Sequence, residues 1–326
     1  MRKIIIILTV MLGAQWGAKA QQAAIQSQGF VNPAMLNPSL AAIRDDWELG
    51  AFTRNQWLAG SASPSTQFIS FSGTTNKPKT RRSMSGRMRL THYGSFNNGK
   101  KAYHTFAFNV AQDKAGAFGR TDLTAHWSPQ IRLSKKVYAG LGPSVSYVRY
   151  QIDPTKIDFL TGTDQTWNGY LISGINNQGV SFNINGAVIM PNAFVGFAIN
   201  DPIKPVWLKG LNSERLVQRH FSLNFGYDHH INREWDLETF VSGNFTPETP
   251  IEFDGNVRIS YSDVAWFGVA YRNYAAAAAT LGFLAKNKIR FAYTLERSTL
   301  KVGPYLGWSH EVYVGILFAK KVKSRF

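Results

Sequence analysis

From Phe221 onward the chain alternates apolar and polar residues with a period of two. Phe221, Leu223, Phe225 and Tyr227 share one face of an extended segment, and Ser222, Asn224, Gly226 and Asp228 share the other. Ile289, Phe291, Tyr293 and Leu295 oppose Arg290, Ala292, Thr294 and Glu296 in the same way. Side chains alternate faces along a strand, so this period predicts β-structure. Read along the whole chain, it predicts about fourteen strands: 47–57, 65–73, 102–112, 120–133, 136–150, 179–190, 192–200, 218–229, 233–246, 251–261, 263–273, 276–286, 288–297 and 307–320. Most have the length that a tilted membrane strand requires, about 9–11 residues or slightly more. Residues 85–95 are candidates for a further hairpin arm. A soluble sandwich produces the same alternation. A bilayer-spanning barrel needs it in every strand, because no open sheet edge survives in hydrocarbon.

Connections between these strands are of two kinds. Asn98-Gly99, Ser134-Lys135, Pro191-Asn192 and Asn287-Lys288 mark tight turns, whereas 74–100, 151–178 and 201–217 are long loops. Short turns at one end and long loops at the other are the habit of a bacterial barrel.

The chain ends supply the deciding context. Met1-Arg2-Lys3 is a basic start, Ile4 to Gly13 an apolar core, and Ala18-Lys19-Ala20 an A-x-A-like cleavage site before Gln21. The apolar core is shorter than the roughly 20 residues of a spanning helix, so residues 1–20 read as a cleaved signal peptide. The organisation that follows is an N-terminal segment over 21–45 and a barrel over 46–326. At the far terminus Val312, Val314, Ile316 and Phe318 share a strand face, and the chain closes on Phe326. A terminal aromatic after an amphipathic strand resembles the assembly signal of Gram-negative outer-membrane proteins.

Composition changes the picture in three ways. Charged residues are 17% of the chain, fewer than the usual quarter, and aromatics are 13%, which suits a lipid-facing surface with interfacial girdles. With no cysteine, disulfides and thiolate metal sites are excluded. The net charge of +16 suits anionic lipid or an acidic partner in a secreted chain, and nucleic acid is not expected. Lys77, Lys79, Arg81, Arg82, Arg87, Arg89, Lys100 and Lys101 fall in one stretch without an acidic residue, a candidate docking segment beside the blander reading of a solvated loop.

The faces sort into outside and inside. Val180, Phe182 and Ile184, with Phe267, Val269 and Tyr271, are expected to meet lipid. Ser181, Asn183, Asn185, Asp236, Glu238, Ser242, Asn244 and Arg272 are expected to point inward, which predicts a lumen that is hydrated or filled by polar chain rather than a dry core. On that reading an arginine at Phe225 or Phe291 is far more damaging than one at Asn224 or Thr294. Chemistry is sparse. Gly142-Pro143-Ser144-Val145-Ser146 fails the nucleophile-elbow pattern at its last position, and His229-His230 lacks a zinc-binding context. No catalytic, cofactor-binding or metal-ligating residues are expected.

Upstream of the first strand stands Asn32-Pro33-Ala34-Met35-Leu36-Asn37-Pro38, whose two Asn-Pro steps set successive turns. Arg54-Asn55-Gln56-Trp57 follows, then Ser63-Pro64-Ser65-Thr66, Asp113-Lys114-Ala115-Gly116, His310-Glu311 and the terminal Phe326. In this order the motifs resemble the PorP/SprF family of the Bacteroidetes type IX secretion system, across nearly the whole mature chain. The resemblance implies an integral outer-membrane barrel that is not an enzyme. It would support secretion or surface attachment of partner proteins, with secretion-system components or a large secreted surface protein as partners. From its place just before the first strand, the segment with Asn32, Pro33, Asn37 and Pro38 is expected at the periplasmic mouth or inside the lumen, with the Arg54-Asn55-Gln56-Trp57 block as its candidate partner. Arg54 and Trp57 would lock it there, or Trp57 is simply a girdle aromatic. The alternative is an outer-membrane channel for small or hydrophobic solutes.

Overall fold

A computed structural model describes residues 27, 29, 31–44, 46–60, 63–75, 102–134, 136–153, 156, 176–203, 205–209, 219–232, 234–247, 250–262, 264–273, 275–286 and 288–318. The strands are β1 (Trp47–Asn55), β2 (Ser65–Thr75), β3 (Ala102–Ala115), β4 (Phe118–Arg132) and β5 (Tyr138–Ile152). Next come β6 (Asn176–Ile189), β7 (Ala193–Asn200), β8 (Val206–Lys209), β9 (His220–His230) and β10 (Trp235–Phe245). The last are β11 (Glu252–Tyr261), β12 (Ala265–Arg272), β13 (Ala276–Ala285), β14 (Ile289–Ser298) and β15 (Trp308–Phe318).

All pairings are antiparallel, and β1 pairs with β15 from Trp47↔Phe318 to Asn55↔His310, so the sheet closes on itself. The four residues of β8 continue along β6 where β7 leaves off, after a bend at Asp201 with φ 54°. β7 and β8 thus share one place in the wall, and the ring has fourteen strands. Each expected strand is present within about three residues of its expected bounds, and β8 is the element that periodicity missed, being too short to show a period. Asn98-Gly99 and residues 85–95 lie outside the described residues.

One end of the barrel, here the near end, is where β1 begins and β15 finishes. Its connections are 133–137, 190–192, 231–234, 262–264 and 286–288, all short, together with the long connection 76–101 between Thr75 and Ala102. The opposite, far end carries the 153–175, 201–219 and 299–307 loops and the tight turn at Gly116, whose φ of 59° suits glycine. Short turns are the periplasmic habit of such barrels, and most of the near-end connections are short. The 74–100 loop, expected among the long ones, therefore lies on the short-turn side.

Alternation sets the two faces. Leu223, Phe225, Tyr227, Phe267, Val269, Tyr271 and Leu281 are exposed around the outside, and Ser222, Asn224, Asp228, Asp236, Glu238, Arg258 and Arg272 are buried within. Of the two expected alternatives, hydrated or filled by polar chain, the lumen is filled by chain, and the filling includes apolar side chains as well as polar ones. An apolar cluster forms part of it, in which Val31, Met35, Leu40, Ala42 and Ile43 pack against Phe52, Tyr103, Tyr138, Phe194, Phe240, Trp266 and Tyr313. The apolar share has a simple cause: the N-terminal segment contributes apolar side chains that the wall pattern alone cannot reveal. Among the described residues no helix is long and apolar enough to cross a membrane.

A closed ring pairs every strand edge within itself and so resists detergent until heated. Unboiled protein is expected to migrate faster on a denaturing gel than boiled protein. Identical migration would contradict the closure.

Candidate functional site

The segment between Ser27 and Arg44 occupies the lumen. Its two turns, Pro33–Met35 and Pro38–Ile43, are 3-10 helices, and the second touches β2, β3, β4, β5, β6 and β7. A segment can meet that many consecutive strands only from inside the ring. The Asn-Pro repeat explains its shape. Pro33 and Pro38 occupy first-turn positions, where a missing N–H costs nothing and the fixed φ is already helical. Asn32 and Asn37 precede them, and the Asn37 side chain caps its turn by accepting from the Ser39 N–H at 3.0 Å.

Both asparagines also tie the segment to the wall. Asn37 Nδ2 donates to the Phe197 carbonyl at 2.9 Å and the Gly186 carbonyl at 3.3 Å, and Asn32 Nδ2 donates to the Tyr313 hydroxyl at 3.1 Å. Gly196 permits this approach, since a Cβ there would sit 3.0 Å from Asn37 Nδ2 and 2.9 Å from Leu40 Cδ2. Ser39 Oγ lies 3.2 Å from His126 Nε2, and His126 Nδ1 lies 3.0 Å from Ser144 Oγ. A serine beside a histidine invites a catalytic reading. Here a second hydroxyl, rather than a carboxylate, holds the other ring nitrogen, and all three groups are buried beneath the segment. The cluster positions the second turn.

Charge concentrates at two levels of the lumen. At the near end Glu48 accepts from Arg290 Nη1 at 2.7 and 2.9 Å, from the Tyr313 hydroxyl at 2.6 Å and from Arg44. Arg44 also donates to the Val31 carbonyl, and burial, with the Arg290 guanidinium close by, lowers its proton affinity from the ordinary arginine value. Toward the far end Arg54 donates to Glu296 at 2.6 Å and lies 3.3 Å from Glu311. The Ser27 N–H donates to Glu311 at 3.1 Å, and the Ser27 hydroxyl donates to Glu296. Arg272 pairs with Asp254 at 3.1 Å and reaches Glu296 at 3.7 Å. The Arg258–Glu238 pair lies elsewhere on the wall, its guanidinium 5.7 Å from the Trp266 ring centre.

Register gathers the scattered motif residues into one row. Glu311 stands opposite Arg54, Arg54 opposite Thr66, Thr66 opposite Asp113, and Asp113 opposite Arg120. Thr66 Oγ1 donates to Asp113 Oδ1 at 2.6 Å, and Arg120 pairs with Asp122 at 2.8 Å. The Arg54-Asn55-Gln56-Trp57 block divides at this row. Arg54 turns inward and meets the N-terminal segment through the two glutamates that hold Ser27. Asn55 ends β1 facing out, and the Gln56 N–H donates to the Pro64 carbonyl at 2.8 Å. Trp57 sits in the far-end loop at φ 54°, its N–H 3.3 Å from Ser309 Oγ and its carbonyl accepting from Ser63 Oγ at 2.8 Å.

Lys77, Lys79, Arg81, Arg82, Arg87, Arg89 and Phe326 lie outside the described residues. His229 and His230 are exposed at the near-end turn, where His230 Nδ1 is 2.5 Å from Asp236. Among the described residues no group of His, Asp and Glu is arranged for a metal ion. Sequence reasoning did not single out Ser27, Arg44, Glu48, Arg290 or Glu296 as parts of a site. Isolated charges on the inward face of otherwise apolar strands, such as Glu48 in β1, were the available signal.

A family model described as type IX secretion system membrane protein PorP/SprF matches residues 18–316. Comparison with curated proteins finds none that matches significantly. Solved structures with a similar fold include a Pseudomonas aeruginosa FadL homologue, 9% identical, covering 92% of this chain and 99% of that one with a TM-score of 0.49. The Ralstonia pickettii toluene transporter TbuX is 10% identical over 91% and 94% of the two chains, with a TM-score of 0.48. Acinetobacter baumannii Omp33 is 7% identical over 84% and 99%, with a TM-score of 0.47.

Proposed function

The chain belongs to the PorP/SprF family of type IX secretion system membrane proteins, and on that premise we propose that it supports the secretion or surface attachment of partner proteins, of gliding or adhesin type. The protein is a β-barrel of the outer membrane. Family and fold indicate a membrane secretion or transport protein rather than an enzyme.

The observation that supports a partner-dependent role over passive conduction is the filled lumen. Val31, Ala34, Leu40, Ala42 and Ile43 are at most 2% exposed inside the ring, so the axis is occupied by the chain's own residues. A barrel so filled acts through what binds its mouths and loops. Secretion-system components on the periplasmic side and a large secreted surface protein on the outer side are the proposed partners. Membrane lipid meets the outward apolar band.

Isolation of the barrel from native outer membrane in mild detergent, with identification of the bound chains, tests this reading. Co-purification of a large surface protein or of secretion components is the expected result, together with no stable conductance from the purified barrel in a planar bilayer. Steady single-channel conductance without any bound partner would replace the proposal with a solute channel.

A further inference from the structure

β1 carries two charged residues, Glu48 and Arg54, and both point into the lumen. They have opposite sign and stand near opposite ends of the strand. Each reaches across the seam where the first and last strands meet, and each engages two neighbours there. Glu48 is held by Arg290 of β14 and Tyr313 of β15, and Arg54 is held by Glu296 of β14 and Glu311 of β15.

The N-terminal segment completes both clusters. Arg44 adds a second guanidinium to Glu48, and Asn32 donates to the hydroxyl of Tyr313. Arg290 and Arg44 share the Val31 carbonyl, at 3.4 Å from Arg290 Nη1. Ser27 serves Glu311 with its N–H and Glu296 with its hydroxyl, which in turn accepts from Arg272 at 3.2 Å. Against the opposite wall the segment is tied differently, by Asn37 to two carbonyls, by Ser39 to His126 and by apolar packing. Its contacts with charged wall residues concentrate on β1, β12, β14 and β15.

We infer that the segment and the β1–β15 seam form one coupled unit, in which seating the segment clamps the first strand to the last and displacing it loosens that seam. The physical reason is desolvation. Glu296, Glu311 and Glu48 are buried carboxylates, and each loses a donor when the segment leaves, which weakens the charge networks that span the seam. Coupling between two equilibria is reciprocal, so a locked seam must also hold the segment more firmly. The coupling depends only on the contacts between the segment and the wall, whichever partner the barrel serves.

Amide hydrogen exchange of the purified full-length barrel reads this directly. Two variants weaken the segment while leaving every wall charge in place: deletion of 21–44, and the milder Ser27→Ala/Asn32→Ala pair. Loss of one or two net hydrogen bonds implies roughly a tenfold or larger fall in protection. That fall is expected at β1 and β15 in both variants, and in the double alanine variant, where the segment still covers Phe240, the β10–β11 ladder stays near its original value. The absence of native cysteine allows a converse arm. Ala51→Cys/Val314→Cys places an outward disulfide across partner positions of the seam, and it is expected to raise protection over residues 31–43. Equal losses at β10–β11 and at the seam in the double alanine variant, or no change at the seam in either variant, would overturn the coupling. So would a disulfide-locked seam that leaves the segment's protection unaltered. Should the deletion variant fail to fold, the double alanine variant carries the comparison.

Discussion

Arg54→Ala is expected to cost about 3–5 kcal/mol of barrel stability, the range found when one partner of a buried ion pair is removed. Arg54 is 3% exposed and sits between Glu296 and Glu311, which are 2% and 0% exposed. Without the guanidinium, two carboxylates remain buried side by side, with Ser27 supplying donors to each and Arg272, itself paired with Asp254, 3.7 Å from Glu296. Their repulsion adds to the lost hydrogen bonds, so the effect should exceed that of a typical core truncation. Arg54→Lys keeps the charge but loses the planar fork that addresses both carboxylates at once, and an intermediate loss is expected. Adding Glu296→Gln and Glu311→Gln to Arg54→Ala should recover much of the stability, because no uncompensated charge then remains. Urea unfolding in lipid or detergent measures all three. A loss below about 1 kcal/mol for Arg54→Ala would mean that the pair behaves as a solvated surface pair.

Phe225→Arg is the second large effect. Phe225 lies at the middle of β9 and is 44% exposed on the outward face, so an arginine there meets hydrocarbon. The expected cost is about 2–4 kcal/mol near the bilayer midplane. Periodicity alone predicts a much milder result at the inward positions Asn224 and Thr294. The filled lumen reverses that expectation. Thr294 is fully buried, with its hydroxyl 2.5 Å from that of Thr280, and Asn224 is 3% exposed. An arginine at Thr294 has to displace packed side chains, at a cost of about 1–3 kcal/mol before its charge is considered. Thr294→Arg is therefore expected to be at least as damaging as Phe225→Arg. A well-tolerated arginine at Thr294 would show that water, not the N-terminal segment, fills that level of the lumen.

Sequence reading succeeds where a feature is local. The alternation of Phe221 to Asp228 assigned both faces of β9, because the period of a strand is a local property of its backbone. The outward set Phe267, Val269 and Tyr271 and the inward Arg272 followed by the same rule. The Asn-Pro repeat announced two successive turns, since proline and asparagine act on their own dihedrals and on the nearest amides. Glu48 and Arg290 carried no comparable signal. Neither charge shows which partner it will meet, and 242 positions separate the two.

By itself, then, the sequence determined the strands, their number, their lipid-facing side and the turn geometry of the N-terminal segment. Each of these depends on residues within a few positions of one another. Only the tertiary structure decided that the segment fills the lumen, that Glu48 and Arg54 bridge the first and last strands, and that Glu311, Arg54, Thr66, Asp113 and Arg120 form one row. Those facts depend on register and ring closure. A buried charge is stable only beside a partner of opposite sign, and which partner it meets is settled when the ends of the chain are brought together.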